Sequence, residues 1–359
     1  MLFTGKNLLI FHPGALGDGL LALPALRVLK ITFPGHRLIW FGHKELGDVF
    51  VAAQEVSQSY SFDSLEFLAY RGTNSSHQEK FLSLICCCDR AIGWLEDTDG
   101  LWQSWLEAAG IQNWILRSPH DTTLVNNHMV DRYVEILQPW LQTTQVSCDI
   151  ESNENLTGPL VFPKLDSKKA PFPIKEPLIV LHPGSGSLYK CASPGLWACI
   201  VKDLMRGQPK VKMCLVGGPA DNDSLRNVQR LLTHLEYAIL TETVLLQAAQ
   251  YLQHAQIFIG HDSGLSHLAA NLGIPSVLLF GPTDPAKWAP RGTHVNVLRK
   301  SCYCSGKASI ASCTDKQCLS ISPLEVLKRV EGVLCGEKAA VTYPTFECVD
   351  ETCTVSCLG

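Results

Sequence analysis

Asp262, Ser263 and Gly264 stand where a short apolar run, Ile257–Ile259, gives way to a small polar break. Leu265, Leu268, Ala269 and Leu272 then recur at helical spacing. Gly273 and Pro275 end that helix, and Ser276–Phe280 is a second buried-strand run closed by Gly281 and Pro282. Strand, turn, helix and strand make a βαβ unit. Ligands of such units sit beyond the carboxyl ends of the strands, where a helix start offers unpaired N–H groups and partial positive charge. The chemistry this favours is the holding of a diphosphate. His267 lies three residues after Gly264 and four after Ser263, so it shares their helix face.

A second glycine-rich turn stands near the start. Asn7–Phe11 reads as a strand, His12–Gly19 as a turn, and Leu20, Leu23, Leu26 and Leu29 as a helix with Pro24 in its first turns. This opens a nucleotide-binding-like half, although Gly14, Gly17 and Gly19 are wrongly spaced for a dinucleotide fingerprint. Asp18 lies in that turn, where the plain structural role is a helix N-cap.

The remaining elements must position these two turns. Strands are expected at His36–Phe41, within Phe81–Gly93, at Leu178–His182, at Lys212–Val216 and at His294–Leu298, with helices at Lys44–Ala53, Leu225–Leu235 and Thr243–His254. His128, Asp131, Arg132 and Tyr133 fall on one predicted helix, where Arg132 could meet an acidic acceptor or face solvent. Ser322 should cap a helix that has Pro323 at its first position. Between Ser152 and Pro177 prolines and lysines accumulate, as expected of a linker. The chain therefore divides into a front domain, 1–155, a linker, 156–177, a rear domain, 178–335, and a tail, 336–359, without clear periodicity.

Composition bounds the classes. A chain of 359 residues has two domains as its prior, and 46% hydrophobic residues can fill a large core. A net charge of −4 provides no basic field for nucleic acid. No secretory signal and no bilayer-spanning run is apparent, which points to a cytoplasmic chain, at most peripheral to the membrane. Fifteen cysteines are many for such a chain. Cys214 and others in apolar runs read as small hydrophobes. Cys302, Cys304, Cys313 and Cys318 lie in one loop, as C-x-C, eight residues, then C-x4-C. They could form a structural zinc site or a disulfide clip, or remain free thiols.

The stretch Asp262-Ser-Gly-Leu-Ser-His-Leu-Ala-Ala, with Pro275 and Phe280-Gly-Pro-Thr-Asp-Pro285, resembles the donor-site signature of glycosyltransferase family 9, the heptosyltransferases. Leu16-Gly-Asp-Gly-Leu-Leu-Ala-Leu-Pro24 resembles the family's N-terminal motif, whose aspartate is the catalytic base, and the resemblance gives that role to Asp18. Gly14 and Ala15 replace the serines usual just before it. A His-Pro-Gly turn followed by a lysine and a tryptophan is matched by Lys190 and Trp197, although Ala192 replaces a tryptophan and Pro194 comes one place late. Lys190 is thereby a donor-phosphate ligand, a role that suits a flexible ammonium. Ser185 and Ser187 belong to the phosphate turn, Asp221 matches the acidic ribose ligand, and Thr283 and Asp284 line the cleft edge.

The resemblance implies an α/β fold of GT-B type, two Rossmann-like domains with parallel sheets facing across a cleft. It also implies inverting, metal-independent transfer of a sugar, heptose from ADP-heptose, onto a lipopolysaccharide core or related glycan. The partners would be a nucleotide-sugar donor and a lipid-linked acceptor at the inner membrane surface, with no nucleic acid and no cofactor. Asp221-Asn-Asp223 spells a metal motif of another glycosyltransferase fold, but a helix start and Lys190 would leave no need for a metal. Two other readings fit the same architecture: a nucleotide-sugar epimerase and a non-catalytic nucleotide-sugar-binding protein.

Overall fold

The computed structural model describes residues 6–61, 87–144, 153–163, 178–207, 210–304 and 306–335. The expected strand approach at 81–86, the linker from 164 to 177 and the tail 336–359 lie outside the described residues.

Two all-parallel sheets organise the chain. The front sheet holds β1 (Lys6–Phe11), β2 (His36–Gly42), β3 (Gln58–Ser61), β4 (Cys88–Gly93) and β5 (Asn113–Leu116), in the order β3-β2-β1-β4-β5. The rear sheet holds β6 (Leu178–His182), β7 (Lys212–Val216), β8 (Ala238–Leu240), β9 (Ala255–His261), β10 (Ser276–Leu279) and β11 (Val295–Leu298). Its order is β11-β10-β9-β6-β7-β8. Both put their first strand beside a crossover, the place where a doubly wound sheet opens a crevice.

The central strands are apolar on both faces because helices cover both. Along β1, Leu8 and Ile10 enter one core while Leu9 and Phe11 enter another. Along β6, Leu178 and Val180 join the same core as Leu8, and Ile179 and Leu181 pack outward. One continuous core therefore lies between the sheets, flanked by a separate core on the far side of each.

The structure departs from the expected elements in several places. The helix expected from Leu20 to Leu29 is two helices, Leu16–Leu21 and Leu23–Thr32. Pro24 sits in the first turn of the second helix, where its missing N–H costs nothing. The expected helix at Leu225–Leu235 runs earlier, from Asn222 to Leu231. Strands β3, β5 and β8 are additional; they are short edge strands, β3 without an apolar run and β5 and β8 with apolar runs of only three residues.

Part of the expected linker is packed. Leu156, Leu160 and Phe162 are buried, and Arg27 reaches the carbonyls of Leu156 and Gly158 at 3.2 and 2.5 Å. Arg27 also pairs with buried Glu55 at 2.6 Å, so its charge is compensated where water is excluded. Arg132, a candidate for an acidic acceptor, instead donates to the carbonyls of Asn126, Pro119 and Asp121 and holds the loop ahead of its helix.

Candidate active site

The rear half of the site grows from the end of β9. Its last residue, His261, is fully buried and accepts from the Ala192 N–H through Nε2 at 2.8 Å, so Nδ1 carries the proton toward the Gly184 carbonyl. Burial lowers its pKa to about 3, keeping the ring neutral. The helix Gly264–Asn271 follows, and Ser263 caps it by accepting from the Ser266 N–H at 3.3 Å, a cap worth ~1 kcal/mol. Gly273, at φ +74°, ends this segment in the left-handed region that only glycine adopts without strain.

Lys190 Nζ lies 2.7 Å from Asp262 Oδ2, and His267 Nε2 lies 3.9 Å from Asp262 Oδ1. Burial alone would raise the Asp262 pKa, but His267 and the Lys190 ammonium outweigh it and hold the carboxyl well below the usual range. Asp262 is thus an anion already matched by cationic and polar partners, which removes the repulsion it would otherwise exert on a diphosphate. Lys190 rides on a turn, Leu188–Lys190, pinned from outside by Lys316, which donates to the Leu188 and Cys191 carbonyls at 2.7 and 3.2 Å. Ser185 donates to the Asp262 carbonyl at 2.8 Å, and Ser187 accepts from the Lys190 N–H through its backbone carbonyl at 3.0 Å.

Asp221, expected as the acidic ribose ligand, lies beyond the end of β7 beside His182. It is 6% exposed, and its Oδ2 is shared by His182 Nε2 at 3.1 Å and the Gly218 N–H at 2.8 Å. Burial would raise its pKa; the hydrogen bond from His182 more than compensates, leaving it below the usual range. His182 Nδ1 lies 3.0 Å from Ser263 Oγ, so Asp221 orients His182, which orients the cap of the helix. A Cβ on Gly184 would overlap the Asp221 carboxylate, so the turn needs glycine there. Asp284 is exposed and caps the short helix Pro285–Trp288 by accepting from Ala286 N–H at 3.0 Å; Thr283 precedes it, half-exposed.

The front half grows from the end of β1. Asp18 lies in the first turn of the helix Leu16–Leu21 and accepts from the Ala15 N–H at 3.2 Å. Its turn packs directly on the rear helix start: a Cβ on Gly17 would stand 3.2 Å from His267 Cδ2, and one on Gly264 would stand 2.7 Å from Leu16 Cδ2. The structure therefore brings Asp18 to the same seam as Ser263, Gly264 and His267. Gly14 is wedged between His12 and Asp18, where a Cβ would stand 2.6 Å from His12 Cε1 and 2.9 Å from Asp18 Cβ.

Sequence reasoning missed His12, Tyr133 and Trp94. His12 Nε2 is 3.0 Å from Tyr133 Oη, and its ring stacks on Trp40 and meets the edge of Trp94. Burial lowers its pKa to about 4 and, together with the nearby Asp18 charge, raises that of Tyr133. His12, Trp94, Tyr133 and Asp18 all line a cavity of 780 Å³ on the front sheet. One signal was present: the tripeptide His-Pro-Gly closes the first strand of both sheets, at 12–14 and at 182–184.

The four loop cysteines are free. Cys304 interacts with Cys313, which raises its pKa, and burial beside Cys302 pushes Cys318 up to about 12. Among the described residues no three His, Cys, Asp or Glu side chains are placed to hold a metal ion.

The sequence profile of glycosyltransferase family 9 (heptosyltransferase) matches residues 102–317, more than half of the chain. The chain belongs to glycosyltransferase family 9. Lipopolysaccharide heptosyltransferase 3 of Escherichia coli (strain K12) is 26% identical over 49% of this chain and 51% of that protein. The chain thus matches about half the length of that curated relative. Among solved structures, the glycosyl transferase family 9 protein from Veillonella parvula superposes with a TM-score of 0.70 at 21% identity, over 93% of this chain and 99% of that one. The E. coli ADP-heptose lps heptosyltransferase II superposes with a TM-score of 0.65 at 20% identity, over 92% and 99%. The fold is therefore GT-B, as the resemblance implied. Among the described residues no helix is long and apolar enough to cross a membrane.

Proposed function

We propose that this family 9 protein is an inverting, metal-independent glycosyltransferase that moves a sugar, heptose from ADP-heptose, onto a hydroxyl of a lipopolysaccharide-type glycan. The observation that carries the reading is the packing of the Asp18 turn against the start of the helix Gly264–Asn271. It sets a carboxylate from one sheet beside a phosphate-ready helix start from the other.

Asp18 takes the proton of the acceptor hydroxyl, help worth ~10²–10⁴-fold in such reactions. The oxygen attacks the anomeric carbon, the bond from that carbon to the diphosphate oxygen breaks on the opposite face, and ADP leaves with the bonding pair. Lys190 and the N–H groups at Ser263 and Gly264 meet the charge that builds on the diphosphate. His267, whose Nε2 lies 3.9 Å from Asp262 Oδ1, positions the donor together with Asp262. Asp262 aims Lys190, while Asp221 and His182 hold the helix cap. Work on a lipid-linked acceptor would place the protein at the inner face of the membrane.

Asp18→Asn keeps the size and loses the base. We expect transfer from ADP-heptose to fall at least a hundredfold while ADP binding, read by calorimetry, stays within about threefold. Turnover that survives the substitution would remove Asp18 from this role.

A further inference from the structure

His128 reaches across the seam between the two halves with a buried imidazole. Its Nδ1 accepts from the Val130 N–H at 3.2 Å, and its Nε2 lies 2.9 Å from the Ala289 carbonyl. The Val130 N–H needs a lone pair on Nδ1, so the ring proton sits on Nε2 and is donated to Ala289. Each contact satisfies a helix end. Val130 lies in the first turn of the helix Met129–Glu135, and Ala289 is the C-cap of Pro285–Trp288. One ring thus ties a helix start in front to a helix stop behind. Burial, then the Arg291 charge, outweigh Asp131 and the Ala289 carbonyl and lower its pKa to about 4, so the ring keeps the neutral form this bridge needs. Asp131, on the same helix, pairs with Arg291, two residues beyond Ala289. That tether runs through a long, partly exposed side chain, whereas the imidazole is rigid and 7% exposed.

We propose that His128 is a positioning residue for sugar transfer: its bridge sets how far the front carboxylate, Asp18, stands from the donor cradle of the rear half. This rests on the glycosyltransferase reading and adds a residue to it. The path from His128 to Asp18 is short and packed. The helix that His128 starts carries Tyr133, whose Oη lies 3.0 Å from His12 Nε2. His12 packs with Gly14 and Asp18 so tightly that a Cβ on Gly14 would stand within 3 Å of both side chains. The rear path is equally direct. Ala289 ends the stretch that leaves β10, and the Leu279 carbonyl on β10 accepts from the Asp262 N–H at 3.2 Å. The donor ligands, Lys190 and the N–H groups at Ser263 and Gly264, all belong to the rear half. A seam loosened at His128 therefore leaves donor binding intact and moves the base away from the reacting hydroxyl. A misplacement of ~1 Å can cost ~10²-fold in rate even when its origin is remote from the chemistry.

The test separates the two bonds of the ring. His128→Asn places a carbonyl oxygen where Nδ1 stands and keeps the helix cap, but its amide is too short to reach Ala289. His128→Gln places an amide N–H near Nε2 and keeps the bridge, but gives up the cap. Transfer from ADP-heptose to a lipopolysaccharide core acceptor, ADP binding by calorimetry and urea unfolding are measured on the full chain, wild type and both variants. His128→Asn should lower kcat at least tenfold, with the donor KM and the ADP Kd within about threefold of wild type. His128→Gln should keep kcat within about threefold, although its unfolding midpoint is the lower of the two. A merely structural role gives the opposite order, with the less stable variant losing more turnover. That order, equal kcat in the two variants, or ADP affinity falling in step with kcat overturns the proposal. No transfer by the wild type defeats the glycosyltransferase reading and this inference with it, whereas wild-type transfer with a fully active His128→Asn defeats this inference alone.

Discussion

Gly17 and His267 meet across the seam between the two sheets, so closely that a Cβ on Gly17 would stand 3.2 Å from the imidazole. Asp18 is the next residue, so this approach fixes how far the carboxylate stands from the rear helix start. Gly17→Val adds a branched side chain at that point. Overpacking of this kind costs ~1–3 kcal/mol. We expect a lower unfolding midpoint in urea and at least a tenfold loss of transfer, with Gly17→Ala intermediate. A valine variant of unchanged stability and turnover would show that the seam can widen freely.

Lys190 and Asp262 form a pair whose carboxylate is nearly buried. Lys190→Met leaves that charge with His267 as its remaining close partner, and breaking such pairs costs ~3–5 kcal/mol when both members are buried. Lys190 is 32% exposed, so a loss of about 1–3 kcal/mol is expected. Adding Asp262→Asn should recover most of that stability without recovering ADP affinity. Chemical denaturation and calorimetry on the four proteins of this cycle separate the two effects; recovered ADP binding in the double variant would deny Lys190 its phosphate role.

Burial holds His12 and His128 at a pKa of about 4 and His261 at about 3, against an ordinary 6.5. Between pH 6.5 and about 4 the unfolded chain takes up protons that these rings refuse when folded, so stability falls as the pH falls through that window. Asp221 and Asp262 have lowered folded values, so their contribution is intact above their ordinary value near 3.8 and is lost only in stronger acid. His12 and His128 together could cost several kcal/mol by about pH 4, each pKa unit being worth ~1.4 kcal/mol. Urea unfolding at pH 7.5, 6 and 5 should give a steady decline, and a flat profile would mean that these rings are not held neutral.

Arg291 and Asp131 join the two halves through both terminal guanidinium nitrogens, one at 2.7 Å, and His128 beside them lies 2.9 Å from the Ala289 carbonyl. The pair is about a quarter exposed, so Arg291→Ala should cost ~1 kcal/mol rather than the penalty of a buried pair. A cycle with Asp131→Asn measures the coupling by urea denaturation; no coupling would mean that the two side chains do not act together in solution.

Much of the rear sheet was legible in the sequence because its strands are buried on both faces. Leu178–His182 and Lys212–Val216 stand out as apolar runs and form strands at those bounds. The helix after Ser263 was equally plain, since its apolar spacing and glycine stop agree, while the Ser263 cap became visible only in the structure. Edge strands such as Ala238–Leu240 were not, because an apolar run of three residues is too short to tell a strand from a helix segment or loop. The buried polar partners were hidden for a different reason. His12 finds Tyr133 from 121 residues away, and no local period encodes such a pairing. Asp221 was marked by position alone, and only its surroundings reveal that it faces His182.

The continuous core beneath both sheets bears on how such a chain can be rebuilt. Leu8 and Ile10 share it with Val180, Phe258 and Leu268. A chimera that borrowed a foreign front sheet to change acceptors would have to import matching apolar neighbours for the rear sheet, along with a glycine opposite His267. Redesign of this protein is better confined to the outer wall of the front cavity, around Glu96 and Trp102, where new chemistry can be grafted without disturbing what the sheets hold in common.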